Sequence, residues 1–152
     1  MTLQERLMED LKSAMRSGDE LRRSVIRLMR AAVQNEEISR GKPLDDTGVA
    51  EVLARMVRQY RESIDIYRKH NRPDMAGREE SELAVVMGYL PQQLSREDVV
   101  ELAKKVAQEV GARSPADRGR VMGKLMPQLR GKADGAVVNG VVTELLESMA
   151  VS

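Results

Sequence analysis

Apolar residues recur three and four positions apart along almost the whole of this 152-residue chain, and no stretch alternates strictly between hairpin turns. That period predicts an all-α protein. A first helix over 2–15 places Leu3, Leu7, Leu11 and Ala14 on one face, and Ser17-Gly18 ends it. A second over 20–39 turns Leu21, Val25, Leu28, Met29, Ala32 and Val33 inward before Gly41-Lys42-Pro43. Thr47 is placed to cap a third helix, which carries Val49, Val52, Leu53, Met56, Tyr60, Ile64 and Tyr67 as far as Asn71-Arg72-Pro73. A fourth covers 74–89.

Pro91 removes a backbone donor and drives Leu90 out of helical geometry, so the pattern must break there. We place a domain boundary at this point: an N-terminal domain over 1–91, four helices with a long hairpin, and a C-terminal three-helix bundle over 92–152. Ser95 and Asp98 form an acidic capping box for the fifth helix, which carries Val99, Leu102, Ala103, Val106 and Val110 before Gly111. Ser114, Pro115 and Asp117 open the sixth, and Pro127 is expected to end or kink it. Asp134 stands where it can cap a seventh with Val138, Val141, Val142, Leu145 and Met149.

The residues available for chemistry are few. There is no cysteine, which removes thiol catalysis, thiolate metal sites and disulfides together. A reducing, cytoplasmic location is expected. No run approaches the roughly 20 apolar residues of a membrane span, and the opening residues, with Glu5, Glu9 and Asp10, do not resemble a signal peptide. The single histidine, His70, lies at the end of the third helix, where a cation suits the helix dipole. Gly131-Lys132 fails as a phosphate-binding P-loop, because Met126 stands where the first glycine belongs and Ala133 where the magnesium ligand does. Carboxylates pair with bases four residues away, Glu51 with Arg55, Arg58 with Glu62 and Asp65 with Lys69, as solvated helix faces do. No catalytic residue, cofactor site or metal site is expected.

Charge is informative through its distribution, since the net value is only +1. Arg113, Arg118, Arg120, Lys124, Arg130 and Lys132 face the single acid Asp117 within 113–132, whereas acids outnumber bases over 76–111. Projected at 100° per residue, Val121, Met122, Leu125 and Met126 form a buried arc, and Gly119 and Gly123 fall opposite, beside Arg120 and Lys124. A mid-helix glycine costs up to about 1 kcal/mol relative to alanine, so two of them four residues apart call for a close approach to the backbone. Either another helix of the chain or a nucleic-acid backbone meets that need. Arg120, Lys124, Arg130 and Lys132 are the candidate phosphate contacts, with Gly119, Gly123 and Gly131 allowing the approach. Arg118 projects into the apolar arc and is expected to snorkel. Arg23, Arg27 and Arg30 line up on the second helix as a secondary patch, with Asp19 able to pair with Arg23. Tyr60, Tyr67 and Tyr89 are the only aromatic residues, too few to stack successive bases.

The run Arg120-Val121-Met122-Gly123-Lys124-Leu125-Met126-Pro127, followed by Arg130-Gly131-Lys132-Ala133-Asp134-Gly135 and Val138-Asn139, resembles the GatB/YqeY signature. The opening, with Val25-Ile26-Arg27 and Gln34-Asn35-Glu36, and the segment Tyr89-Leu90-Pro91-Gln92-Gln93-Leu94 also resemble YqeY proteins. The resemblance implies a C-terminal half similar to the tail of the B subunit of glutamine-dependent Asp/Glu-tRNA amidotransferase, where that tail helps to recognise tRNA by shape. It further implies the family-level label of a carbon–nitrogen ligase with glutamine as amido-N-donor. A chain this short with no ATP site cannot perform that reaction alone. The expectation is therefore a tRNA- or structured-RNA-binding accessory to an amidotransferase or translation-linked protein. The competing expectation is a protein–protein adaptor without a nucleic-acid ligand.

Overall fold

The computed structural model describes residues 1–151, and among them every regular element is helical. The helices are α1 (Leu3–Ser17), α2 (Glu20–Arg40), α3 (Asp46–Lys69), α4 (Pro73–Met87), α5 (Arg96–Glu109), α6 (Arg118–Leu129) and α7 (Gly135–Val151), with a 3₁₀ turn at Pro115–Asp117 leading into α6. The fold class is all-α, as the period requires.

The helix ends follow from side chains that satisfy orphan backbone groups. Thr2 Oγ1 accepts from Glu5 N at 3.1 Å, and Gly18 supplies the left-handed residue, φ 73°, that closes α1. At α3 the cap is Asp45 rather than Thr47, its carboxylate accepting from Gly48 N at 2.8 Å. Asp19 likewise caps α2 by accepting from Arg22 N at 3.1 Å, so Arg23 pairs with Glu20 instead. The expected capping box of α5 is present: Asp98 N donates to Ser95 Oγ at 3.1 Å and Ser95 N to Asp98 Oδ2 at 3.2 Å.

Packing divides the chain into two compact units, Met1–Pro91 and a second that opens at Gln92. In the first, Leu7, Ile26, Met29, Leu53 and Val86 are fully buried. The inward stripe of α2 centres on Val25, Ile26, Met29 and Val33, which leaves Leu21 and Leu28 at its edge, 40% and 50% exposed rather than buried as the period predicts. Arg55 reaches across to Glu36 on α2 at 3.5 Å instead of pairing with Glu51, while Arg58 does meet Glu62, at 3.2 Å.

In the second unit α5, α6 and α7 pack on one another around Val99, Ala103, Val106, Val121, Leu125, Leu129, Val138, Val142 and Leu146. Pro127 does not end the helix, which runs two residues past it. The carbonyl that loses its donor there belongs to Gly123, which is exposed, so water can take the donor's place. Arg118 is exposed and stands at the junction of the 3₁₀ turn with α6.

Two leucines separate the structure from the bare period. Leu125→Ala should lower the stability of the chain by about 2–5 kcal/mol, the cost of a cavity in a closed core, whereas Leu28→Ala should cost about 1 kcal/mol or less. Urea unfolding followed by circular dichroism measures both.

Candidate nucleic-acid interface

Val121, Leu125 and Leu129 recur at four-residue spacing and turn one side of α6 towards α5 and α7. The other side carries Gly119 and Gly123, both exposed. A Cβ built on either would meet nothing within 4 Å, and neither has a left-handed φ. Among the described residues of this unit no other helix therefore seats on this face, so packing within the unit does not explain the two glycines. Neither packing nor backbone conformation requires them.

The two cations of this helix are not idle. Arg120 donates to Val110 O at 2.9 Å and to Asp117 Oδ1 at 2.7 Å. The Lys124 ammonium lies 2.7 Å from Glu109 Oε2. Both side chains thus lean towards the C-terminal end of α5, an attachment that the sequence does not disclose because Glu109 lies fifteen residues before Lys124. Asp117 is the most heavily used acid in the unit. Its carboxylate also accepts from Arg113 N at 2.8 Å and Ser114 N at 3.3 Å, and the Arg113 amide, then the Arg120 guanidinium, hold its pKa down to about 2. Lys124 holds the Glu109 carboxyl below its usual range. All of these pairs are open to water, where an ion pair is weak and a phosphate can exchange for a carboxylate.

Arg130 and Lys132 stand beyond the end of α6, exposed and with no carboxylate within 4.0 Å among the described residues. Their loop is braced from the chain preceding α5. Gln93 Nε2 donates to Gly131 O at 2.7 Å, and Leu94 N donates to Lys132 O at 2.9 Å. Gly131 itself is buried with φ 77°, so its glycine answers a backbone conformation and does not lay backbone open. Asp134 directly precedes α7 and accepts from Val138 N through its carbonyl at 3.1 Å. The site residues thus fall into two groups, Gly119, Arg120, Gly123 and Lys124 on α6, and Arg130 and Lys132 after it. From residue 120 to 130 the helix rises about 15 Å. Gln93 was legible only as part of a familiar segment, since nothing local marks it as a brace.

The three arginines of the secondary patch share one continuous helix, α2, but differ in setting. Arg23 is held by Glu20 and half-buried, Arg27 is exposed, and Arg30 is half-buried against a small pocket of about 250 Å³ with Gln4, Met8 and Gln34. His70 is an exposed helix end whose Nδ1 lies 2.9 Å from Ile66 O.

These features define a small all-helical protein of two compact units, with an open helix backbone and exposed cations in the second. Residues 4–146 match the family described as Yqey-like protein, and the chain belongs to that family. Among curated relatives it is similar to the protein named "Altered inheritance of mitochondria protein 41, mitochondrial" from Lachancea thermotolerans, 38% identical over 87 residues, 57% of this chain and 46% of that protein. The protein of the same name from Eremothecium gossypii is 38% identical over 85 residues, 55% of this chain and 46% of the relative. That of a Saccharomyces cerevisiae strain is 31% identical over 87 residues, 57% and 47% respectively. The match spans about half the length of these relatives. The expectation of a cytoplasmic location is overturned by them, since each is named as a mitochondrial protein.

Asp117 yields a prediction with a definite sign. A carboxyl whose pKa falls from 3.8 to about 2 on folding stabilises the fold above 3.8 and loses that contribution as pH falls through about 2. Asp117→Asn should therefore lower the urea midpoint at about pH 6, and the difference from wild type should shrink to a small remainder at about pH 2. A difference of equal size at both values contradicts the assignment.

Proposed function

We propose that this chain is a structured-RNA-binding member of the YqeY family, of the kind that recognises tRNA by shape and serves an amidotransferase or other translation-linked enzyme. The observation that carries the reading is the open face of α6, where Gly119 and Gly123 leave bare backbone beside Arg120 and Lys124 with no described helix of the same unit laid against it. Such a face suits a ribose–phosphate backbone, which needs close approach and cations and gives no advantage to stacking rings. Arg130 and Lys132 extend the cationic track past the helix end. Arg120 and Lys124 reach phosphate by exchanging Asp117 and Glu109, and that exchange tunes affinity downward without blocking it. The resemblance of this same segment to the amidotransferase tail supports tRNA as the substrate class. The ligase chemistry belongs to the partner enzyme.

Two outcomes follow. Mobility-shift titrations with total tRNA should give an affinity that falls steeply with salt, and neutralising Lys124 and Arg130 together (Lys124→Met, Arg130→Gln) should reduce the slope of log affinity against log salt by about 2. No shift at low salt rejects the proposal. Gly119→Ala with Gly123→Ala should raise the melting temperature, since each glycine gives up to about 1 kcal/mol, while weakening tRNA binding. A variant that is both more stable and equally tight removes the role of the glycines.

A further inference from the structure

Far from any cationic loop in sequence, the first unit has an uncovered feature of the opposite character. A groove of about 380 Å³ opens where α2, α3 and α4 meet. Ala32, Met56 and the buried ring of Tyr60 contribute its apolar lining, and Leu28 stands at its edge with half its surface in water. Glu79 and Glu82 line it from α4. The Tyr60 hydroxyl donates to Glu82 Oε1 at 3.3 Å, and among the described residues no cation lies within 4.0 Å of either carboxylate, the neighbouring Glu80 being the one that Arg68 takes. Burial, then the adjacent Glu82 charge, push the Glu79 carboxyl above its ordinary range, against the opposing pull of Arg78. Two like charges and an exposed leucine thus share one concave surface, and both are relieved by the same kind of ligand.

We propose that the groove formed by Leu28, Ala32, Met56, Tyr60, Glu79 and Glu82 docks a basic amphipathic helix of a partner protein, with apolar anchors on Leu28 and Met56 and a Lys or Arg at the two carboxylates. Charge complementarity selects the occupant. Phosphates are repelled here, so this is not a second nucleic-acid face. A small cation satisfies Glu79 and Glu82 but leaves the leucines bare. Leu21, 40% exposed, continues the apolar line from Leu28 along α2 by seven residues, about 10 Å of rise, which matches two turns of a docked helix. Long basic side chains serve both needs, their methylene stems covering apolar surface while the heads reach the acids. This surface is independent of the RNA reading, and either can fail without the other.

The test uses the full chain and a fluorescein-labelled synthetic helix of about 18 residues, with leucines on one stripe and lysines flanking it. Two control peptides accompany it, one with the leucines dispersed and one with every lysine replaced by glutamate. Fluorescence anisotropy should show binding of the striped basic peptide alone, accompanied by movement of the Met56 methyl resonance. Leu28→Ser and the pair Glu79→Gln with Glu82→Gln should each weaken it about tenfold. Circular dichroism checks that the variants remain helical. If Leu28→Ser does not, the glutamine pair decides. Equal binding of either control peptide, unchanged affinity of the glutamine pair or an unmoved Met56 methyl overturns the proposal. So does sedimentation showing a dimer that Leu28→Ser dissociates, because the groove is then covered by a second copy of this chain.

Discussion

Val121, Leu125 and Leu129 form a single apolar stripe on α6, and the burial of that stripe fixes which side of the helix is left to water. Everything proposed for the second unit depends on this rotational setting. Turned by a quarter, α6 would bury Gly119 and Gly123 against α5 or α7, and the two glycines would be ordinary close-packing residues. As it stands they give up helix propensity at exposed positions where alanine fits freely. A local cost with no structural return is the kind of inconsistency that marks a functional surface.

The electrostatics of the unit are more guarded than its sequence implies. Of the four cations that the sequence singles out, Arg120 and Lys124 are held by Asp117 and Glu109, whereas among the described residues no carboxylate holds Arg130 or Lys132. The pairing fixes the direction of two flexible side chains in the free protein, which reduces the entropy lost when they meet a ligand. It also leaves the acids behind as local repulsion once a phosphate arrives. The first unit shows the reverse pattern, with Glu79 and Glu82 bordering an apolar groove and, among the described residues, in no ion pair within 4.0 Å. Opposite signs on two surfaces are what the two proposals, one for nucleic acid and one for a protein partner, rest on.

The elements and most of their ends were legible in the sequence because they rest on local physics: Thr2 and Ser95 cap the next turn, Gly18 and Gly41 close helices with left-handed backbone, and the stripes repeat every three to four residues. What the period could not resolve was the edge of a stripe. Leu21 and Leu28 read as core on α2, yet tertiary packing centres that core on Val25, Ile26, Met29 and Val33. Caps were misplaced where two candidates competed, as Asp45 did with Thr47. At the candidate site, the exposure of Gly119 and Gly123 follows from the 100° projection. The carboxylates that take Arg120 and Lys124, and the Gln93 amide that braces Gly131, involve distant residues or side-chain choices that no local pattern encodes.

The central claim is that bare backbone on α6 is where structured RNA meets this protein. Glycine amides resolve well in a nitrogen-correlated proton spectrum, so titrating labelled full-length chain with tRNA addresses it most directly. The account predicts that the Gly119 and Gly123 amides shift or broaden first, together with those of Arg130 and Lys132. Resonances of these four that stay fixed while tRNA demonstrably binds elsewhere on the chain would contradict it.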